Sequence, residues 1–237
     1  MRRSVQTVVR AATGLLSVLI AVVGCYSPSL ALGQDIAAAT RENLMVVLRE
    51  TTGANKPDEA LMPSGKGKAK LPDGREVEVD AAWYDFIGDM HIRFVFDGPA
   101  SMRGATPQDL AKLALSTDQA LQLAMANVKR VYGEPTAKPW SGGLMEVQGK
   151  SPDLDSSYFL DRSYWRGLSK QYPEGIVVAV PKRGGLLYVP LSDAKTVQAL
   201  RNAIGPLFAS SDRLRVSSGL YLFKDDKWSV FQAPLKQ

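Results

Sequence analysis

The sequence predicts an α+β fold: a mainly antiparallel sheet with helices packed on one face, after an N-terminal signal peptide. Three observations carry this expectation. Apolar runs at 176–180 and 186–189 flank Pro181-Lys182-Arg183-Gly184-Gly185, a hairpin-forming loop. A second hairpin lies at 220–224 and 228–231 about Asp225-Asp226. Between the two, Val197, Leu200, Ile204 and Leu207 recur at helical spacing after Ser192 or Asp193, with a bend or break expected at Gly205-Pro206. Hairpins need no helical crossover, so strands paired this way on both sides of a helix specify antiparallel order.

The earlier elements are read in chain order. Residues 35–50 place Ile36, Leu44, Val47 and Leu48 near helical spacing before Thr51-Thr52-Gly53, which predicts an amphipathic helix. Residues 54–67 are rich in Pro, Gly and Lys without an apolar period and read as a linker. Pro72-Asp73-Gly74 then predicts a hairpin over 66–80, with Lys70 facing Glu76, Lys68 facing Glu78 and Lys66 facing Asp80 as a charge ladder. That ladder neutralises the lysines, so they read as a solvated face and not as a nucleic-acid patch. Residues 34–80 are thus expected to form an extension of helix, linker and hairpin ahead of a domain at 81–237. Within the domain, residues 83–97 alternate, Met90, Ile92, Phe94 and Phe96 against Asp89, His91, Arg93 and Asp97, as a half-exposed strand would. Thr106-Pro107-Gln108-Asp109 and Ser116-Thr117-Asp118-Gln119 open two helices. Residues 136–143 read as a loop, 144–148 and 157–160 as short strands, and Asp161 as the cap of a helix burying Trp165, Leu168 and Tyr172.

The first 33 residues bear on destination. Arg2, Arg3 and Arg10 precede an uncharged apolar run from 11 to 23, then Pro28 and the small residues Ala31 and Gly33. This is the build of a bacterial secretory signal peptide, too short to span a hydrocarbon core of roughly 30 Å. Cleavage after Gly33 is the first expectation. The alternative is a leader of residues 1–24 with a lipid on Cys25, the only cysteine. Removing residues 1–33 takes away three of the 29 basic residues and none of the 24 acidic ones, so the formal charge falls from +5 to +2. A nucleic-acid partner loses its electrostatic support, and a membrane is met only through the leader or a lipid on Cys25.

One cysteine excludes a disulfide framework, and one histidine excludes a histidine-rich zinc site. No G-x-S-x-G occurs, and Gly184-Gly185 opens no helix that could cradle phosphate. No cofactor or metal is therefore expected. The candidate catalytic residues are Asp89, His91 and Arg93 on one strand face, joined by Asp97 or Asp161. A carboxylate beside an imidazole sets its tautomer and raises its pKa, and an arginine could hold an anionic group. Against this stands the ordinary alternation of charge on any half-exposed strand. Trp140, Trp165 and Trp228 could line a groove, but buried aromatics usually belong to a core.

Phe159-Leu160-Asp161-Arg162-Ser163-Tyr164-Trp165 and Tyr172-Pro173-Glu174-Gly175-Ile176-Val177-Val178-Ala179-Val180-Pro181 resemble the DUF1444 (YtpQ-like) family of unknown function. The resemblance runs from Trp83 to Phe231 and takes in Phe94-Val95-Phe96-Asp97 and the closing hairpin. It implies a fold and no catalytic residues. The functional expectation is an exported, non-catalytic binding or envelope-associated module, periplasmic or extracellular. Its alternative is a small hydrolase or transferase with His91 as general base beside Asp89 and Arg93.

Overall fold

The computed structural model describes residues 37–71 and 73–235. In chain order the elements are β1 (Leu44–Glu50), β2 (Met62–Pro63), β3 (Lys66–Lys70), β4 (Glu76–Asp80), β5 (Trp83–Asp85), β6 (Met90–Asp97) and β7 (Met102–Gly104). Helices α1 (Pro107–Lys112) and α2 (Thr117–Tyr132) come next, then β8 (Thr136–Pro139), β9 (Met145–Gln148) and α3 (Arg162–Ser169). The chain closes with β10 (Ile176–Lys182), β11 (Gly185–Pro190), α4 (Ala194–Ala209), β12 (Leu220–Lys224) and β13 (Lys227–Gln232). The fold is α+β, and every strand pair in it is antiparallel.

One large sheet runs β1-β6-β5-β2 with β7 also on β6, a second runs β13-β12-β10-β11-β9-β8, and β3 and β4 form a separate two-stranded sheet. In the second sheet Val177, Ala179, Leu187, Val189 and Leu220 meet Leu200 and Ile204 of α4. Their neighbours Ile176, Val178, Leu186, Tyr188 and Phe223 join the main core with Leu48, Ile92, Phe94, Val128 and Trp165. The second sheet is thus covered on both faces, which is why its strands read as continuous apolar runs. Trp165 is fully buried, and its indole N–H donates to the Tyr158 carbonyl at 2.9 Å.

Five sequence expectations change. The helix expected over 35–50 begins outside the described residues, and its described part is not helical: 37–43 are irregular and 44–50 are the strand β1, paired residue for residue with β6 from Leu44↔Phe96 to Glu50↔Met90. Leu44 through Leu48 are all buried, so an unbroken apolar run replaces alternation, and the segment shares a sheet with β5, β6 and β7. The single strand over 83–97 is a hairpin: the chain reverses at Gly88, where φ is +63, and Asp85 returns opposite His91. Residues 136–139 form β8, and residues 155–160 form a 3-10 helix in place of a strand. α4 continues through Pro206 to Ala209, since the missing N–H falls in a helix whose apolar face is held by the second sheet. The expected backbone register of the β3–β4 hairpin is observed, Lys66↔Asp80, Lys68↔Glu78 and Lys70↔Glu76. The Thr106 and Ser116 capping boxes are formed, and Asp161 and Asp193 cap α3 and α4.

Candidate functional site

Asp89, His91 and Arg93 leave the same short stretch of chain and go to different partners. Asp89, 3% exposed, sits where the hairpin turn abuts β12. Its carboxylate accepts from the Ser217 hydroxyl, from Tyr221 Oη at 3.0 Å and from the Ser218 N–H at 3.2 Å. Burial pushes its carboxyl above the usual range while those donors pull the other way. Asp89 therefore ties β6 to the second sheet and does not orient His91. Asp97 is also elsewhere, accepting from Tyr132 Oη at 2.6 Å.

His91, 6% exposed, is held at both nitrogens. Arg93 Nε donates to Nε2 at 2.7 Å, and because arginine only donates, Nε2 must be the unprotonated nitrogen. Nδ1 then carries the proton and meets Thr51 Oγ1 at 2.8 Å. Burial and the adjacent Arg93 charge pull its pKa down to about 4. The expected carboxylate-activated base is corrected on this geometry: a guanidinium has taken the lone pair, and the shift is downward. Arg93 in turn stacks over Trp83, 3.8 Å from the ring centroid.

Asp161, 4% exposed, lies apart from all three, at the wall of a cleft of about 620 Å³. α2 supplies one side, the start of α3 another, and residues 59–61 with Trp228 close it. Its floor is apolar: Leu61, Phe86, Leu121, Met125, Leu160 and Trp228. Trp228 reaches the cleft from a stack on Phe159, 4.0 Å between centroids, and is otherwise core, as Trp165 is. Asp161 Oδ1 accepts from Ser163 Oγ at 2.5 Å and from the N–H groups of Ser163 and Tyr164. Its Oδ2 is buried without a hydrogen-bond partner and faces Lys129 Nζ at 3.4 Å, an ion pair outside hydrogen-bond geometry.

The rim cations are already neutralised. Arg162 binds Glu59 at 2.5 Å, Arg166 binds both oxygens of Asp226 at 2.8 and 2.7 Å, and Lys129 also reaches Glu134 at 3.1 Å. Burial lowers the Lys129 pKa, but the Glu134 and Asp161 carboxylates outweigh it and the net direction is upward. A balanced rim over an apolar floor can hold an amphipathic molecule and has little attraction for a bare ion. Sequence reading singled out Asp161 and Trp228 but missed the α2 wall. Leu121 and Met125 continue the apolar stripe that α2 buries through Ala124 and Val128, and nothing in that stripe separates core from cleft.

Among the described residues no three His, Cys, Asp or Glu side chains gather as a metal site, and no helix is long and apolar enough to cross a membrane. Cys25 and the leader lie outside the described residues. No family model, no curated protein and no solved structure matches the chain.

Proposed function

We propose that this chain is an exported, non-catalytic binding module whose ligand seats an apolar body in the α2–α3 cleft. The observation that carries the reading is the apolar floor beneath a rim whose cations are all paired. The groups near it that could act as nucleophile or base are committed: Ser163 donates to Asp161, and Lys129 is held by two carboxylates. The hydrolase or transferase alternative through His91 gains no support, since its free nitrogen already accepts from Arg93. The resemblance to the DUF1444 family adds no catalytic residue to weigh against this.

Nile red, a neutral apolar dye, tests the cleft. Saturable fluorescence enhancement is expected, and Ala126→Trp, an exposed α2 position on the cleft wall, should abolish it without lowering thermal stability. Equal dye binding by that variant, or no saturation by the native protein, would overturn the reading. Export rests on residues 1–33, and the mass of the secreted protein tests it: an unmodified chain of residues 34–237 is expected, against a lipid-bearing chain beginning at Cys25.

A further inference from the structure

We propose that Arg49, Arg93 and Arg183 form a second binding site, for a phosphate group, on the face of the first sheet turned away from α2. Register places two of them. Arg49 of β1 lies directly opposite His91, and Arg93 comes two residues on along the same face of β6. The intervening Ile92 lies opposite Tyr84, whose hydroxyl meets Thr117 of α2, so the arginines point the other way. The third comes from the β10–β11 hairpin, which the 3-10 turn ties to β1: the Arg183 carbonyl accepts from the Ser156 N–H at 2.8 Å, and the next residue, Ser157, donates its hydroxyl to the Val46 carbonyl of β1 at 2.9 Å.

These three side chains hold unspent donors. Arg183 Nε is buried without a hydrogen-bond partner, and so is the hydroxyl of its neighbour Ser156. Arg93 directs Nε to His91 and its plane to Trp83, and Arg49 reaches the Leu48 carbonyl through one nitrogen. Asp85 and Asp153 are near enough for their charge to be felt, yet among the described residues neither forms an ion pair with an arginine. Asp85 accepts from Ser64 Oγ instead. Like charges gathered with so little compensation are unfavourable, and an anion that accepts their hydrogen bonds relieves both the repulsion and the orphaned donor. Burial and mutual repulsion lower the pKa of Arg49 and Arg93 alike to about 10, which accords with that crowding. Three cations around a neutral imidazole match a dianion better than a single carboxylate.

The sole histidine reports on the site. The purified protein is titrated with inorganic phosphate against chloride at constant ionic strength, following the His91 ring and Trp83 indole signals by NMR. Saturable shifts are expected with a dissociation constant at or below about 1 mM. Arg183→Gln should weaken binding by about tenfold while leaving the phosphate-free His91 signals in place, because Thr51 and Arg93 remain. Arg49→Gln gives the same reading should the first variant fail to fold. Shifts that rise without saturation, or native affinity in the variants, overturn the site. Acetate binding as tightly as phosphate overturns the phosphate assignment in favour of a carboxylate. Phosphatidylglycerol vesicles form a parallel arm, and a response to vesicles without one to free phosphate overturns a soluble ligand in favour of a headgroup.

Discussion

His91 is the residue at which chemistry and stability meet. Its neutral form is fixed by an acceptor role toward Arg93 and a donor role toward Thr51, so protonation would break the first bond and add a charge beside a guanidinium. The unfolded chain takes up this proton near pH 6.5, whereas the folded chain resists it down to about 4. Between those values the unfolded state binds more protons, so stability falls as the pH falls from about 6.5 to about 4, by at most about 3 kcal/mol. Above about pH 7 the contribution is constant. Asp89 works in the opposite sense, its carboxyl being raised on folding, so the histidine is isolated by comparing the native protein with His91→Gln. Chemical denaturation at a series of pH values should show the difference between them flat above neutrality and changing through that window. A flat difference down to pH 4 would mean that the imidazole is not held neutral.

At the scale of elements, the joint between the two sheets is the turn before β6. Gly88 takes φ +63 with the Tyr221 hydroxyl packed where a side chain would begin, and Asp89 next to it gathers the donors of Ser217, Ser218 and Tyr221. Gly88→Ala should strain the turn and push Tyr221 off the carboxylate, costing about 2–4 kcal/mol by thermal denaturation. Asp89→Ala leaves buried hydroxyl and amide donors unpaired and should cost about 3 kcal/mol. A loss below about 0.5 kcal/mol in either variant would remove the joint's structural role. Much of the rest was legible because it is local chemistry. Thr106 with Asp109, Ser116 with Gln119, and the lone caps Asp161 and Asp193 each announce a helix within four residues. The Lys/Glu ladder likewise set its own register. β1 was not legible as a strand by alternation, because both its faces are buried. The usable signal was five consecutive apolar residues, 44–48, in a stretch too short for a buried helix. The turn at Gly88-Asp89 was overshadowed by an alternation that continues through it. The arginine cluster draws on positions from 49 to 183 and the cleft on positions from 59 to 228, and no local pattern encodes such meetings.

Over the whole molecule, the layers depend on a segment that composition sets apart. Residues 34–80 look detachable, with a basic, Gly- and Pro-rich stretch at their centre, yet β1 lies along the full length of β6 and buries Leu44, Met45, Val46, Val47 and Leu48 to 1% exposure or less. Its outer edge is bound as well. Ser157 Oγ donates to the Val46 carbonyl at 2.9 Å, and Asn127 of α2 donates to those of Arg41 and Leu44 at 2.7 and 2.9 Å. Removing β1 would expose β6 along one edge, orphan the Asn127 amide and open the main core that both sheets share. Burying five such side chains is worth on the order of 10 kcal/mol, comparable to the whole stability of a domain. A chain truncated to residues 81–237 should therefore fail to fold cooperatively, with collapsed near-UV circular dichroism and poor amide dispersion. Restoring residues 37–80 as a separate peptide should recover both signals in proportion to the peptide bound, because β1 is an edge strand that joins β6 by antiparallel pairing and side-chain burial. Cooperative thermal unfolding of the truncated chain would instead establish that the second sheet with α3 and α4 is a self-sufficient core, and that the first sheet is built onto it.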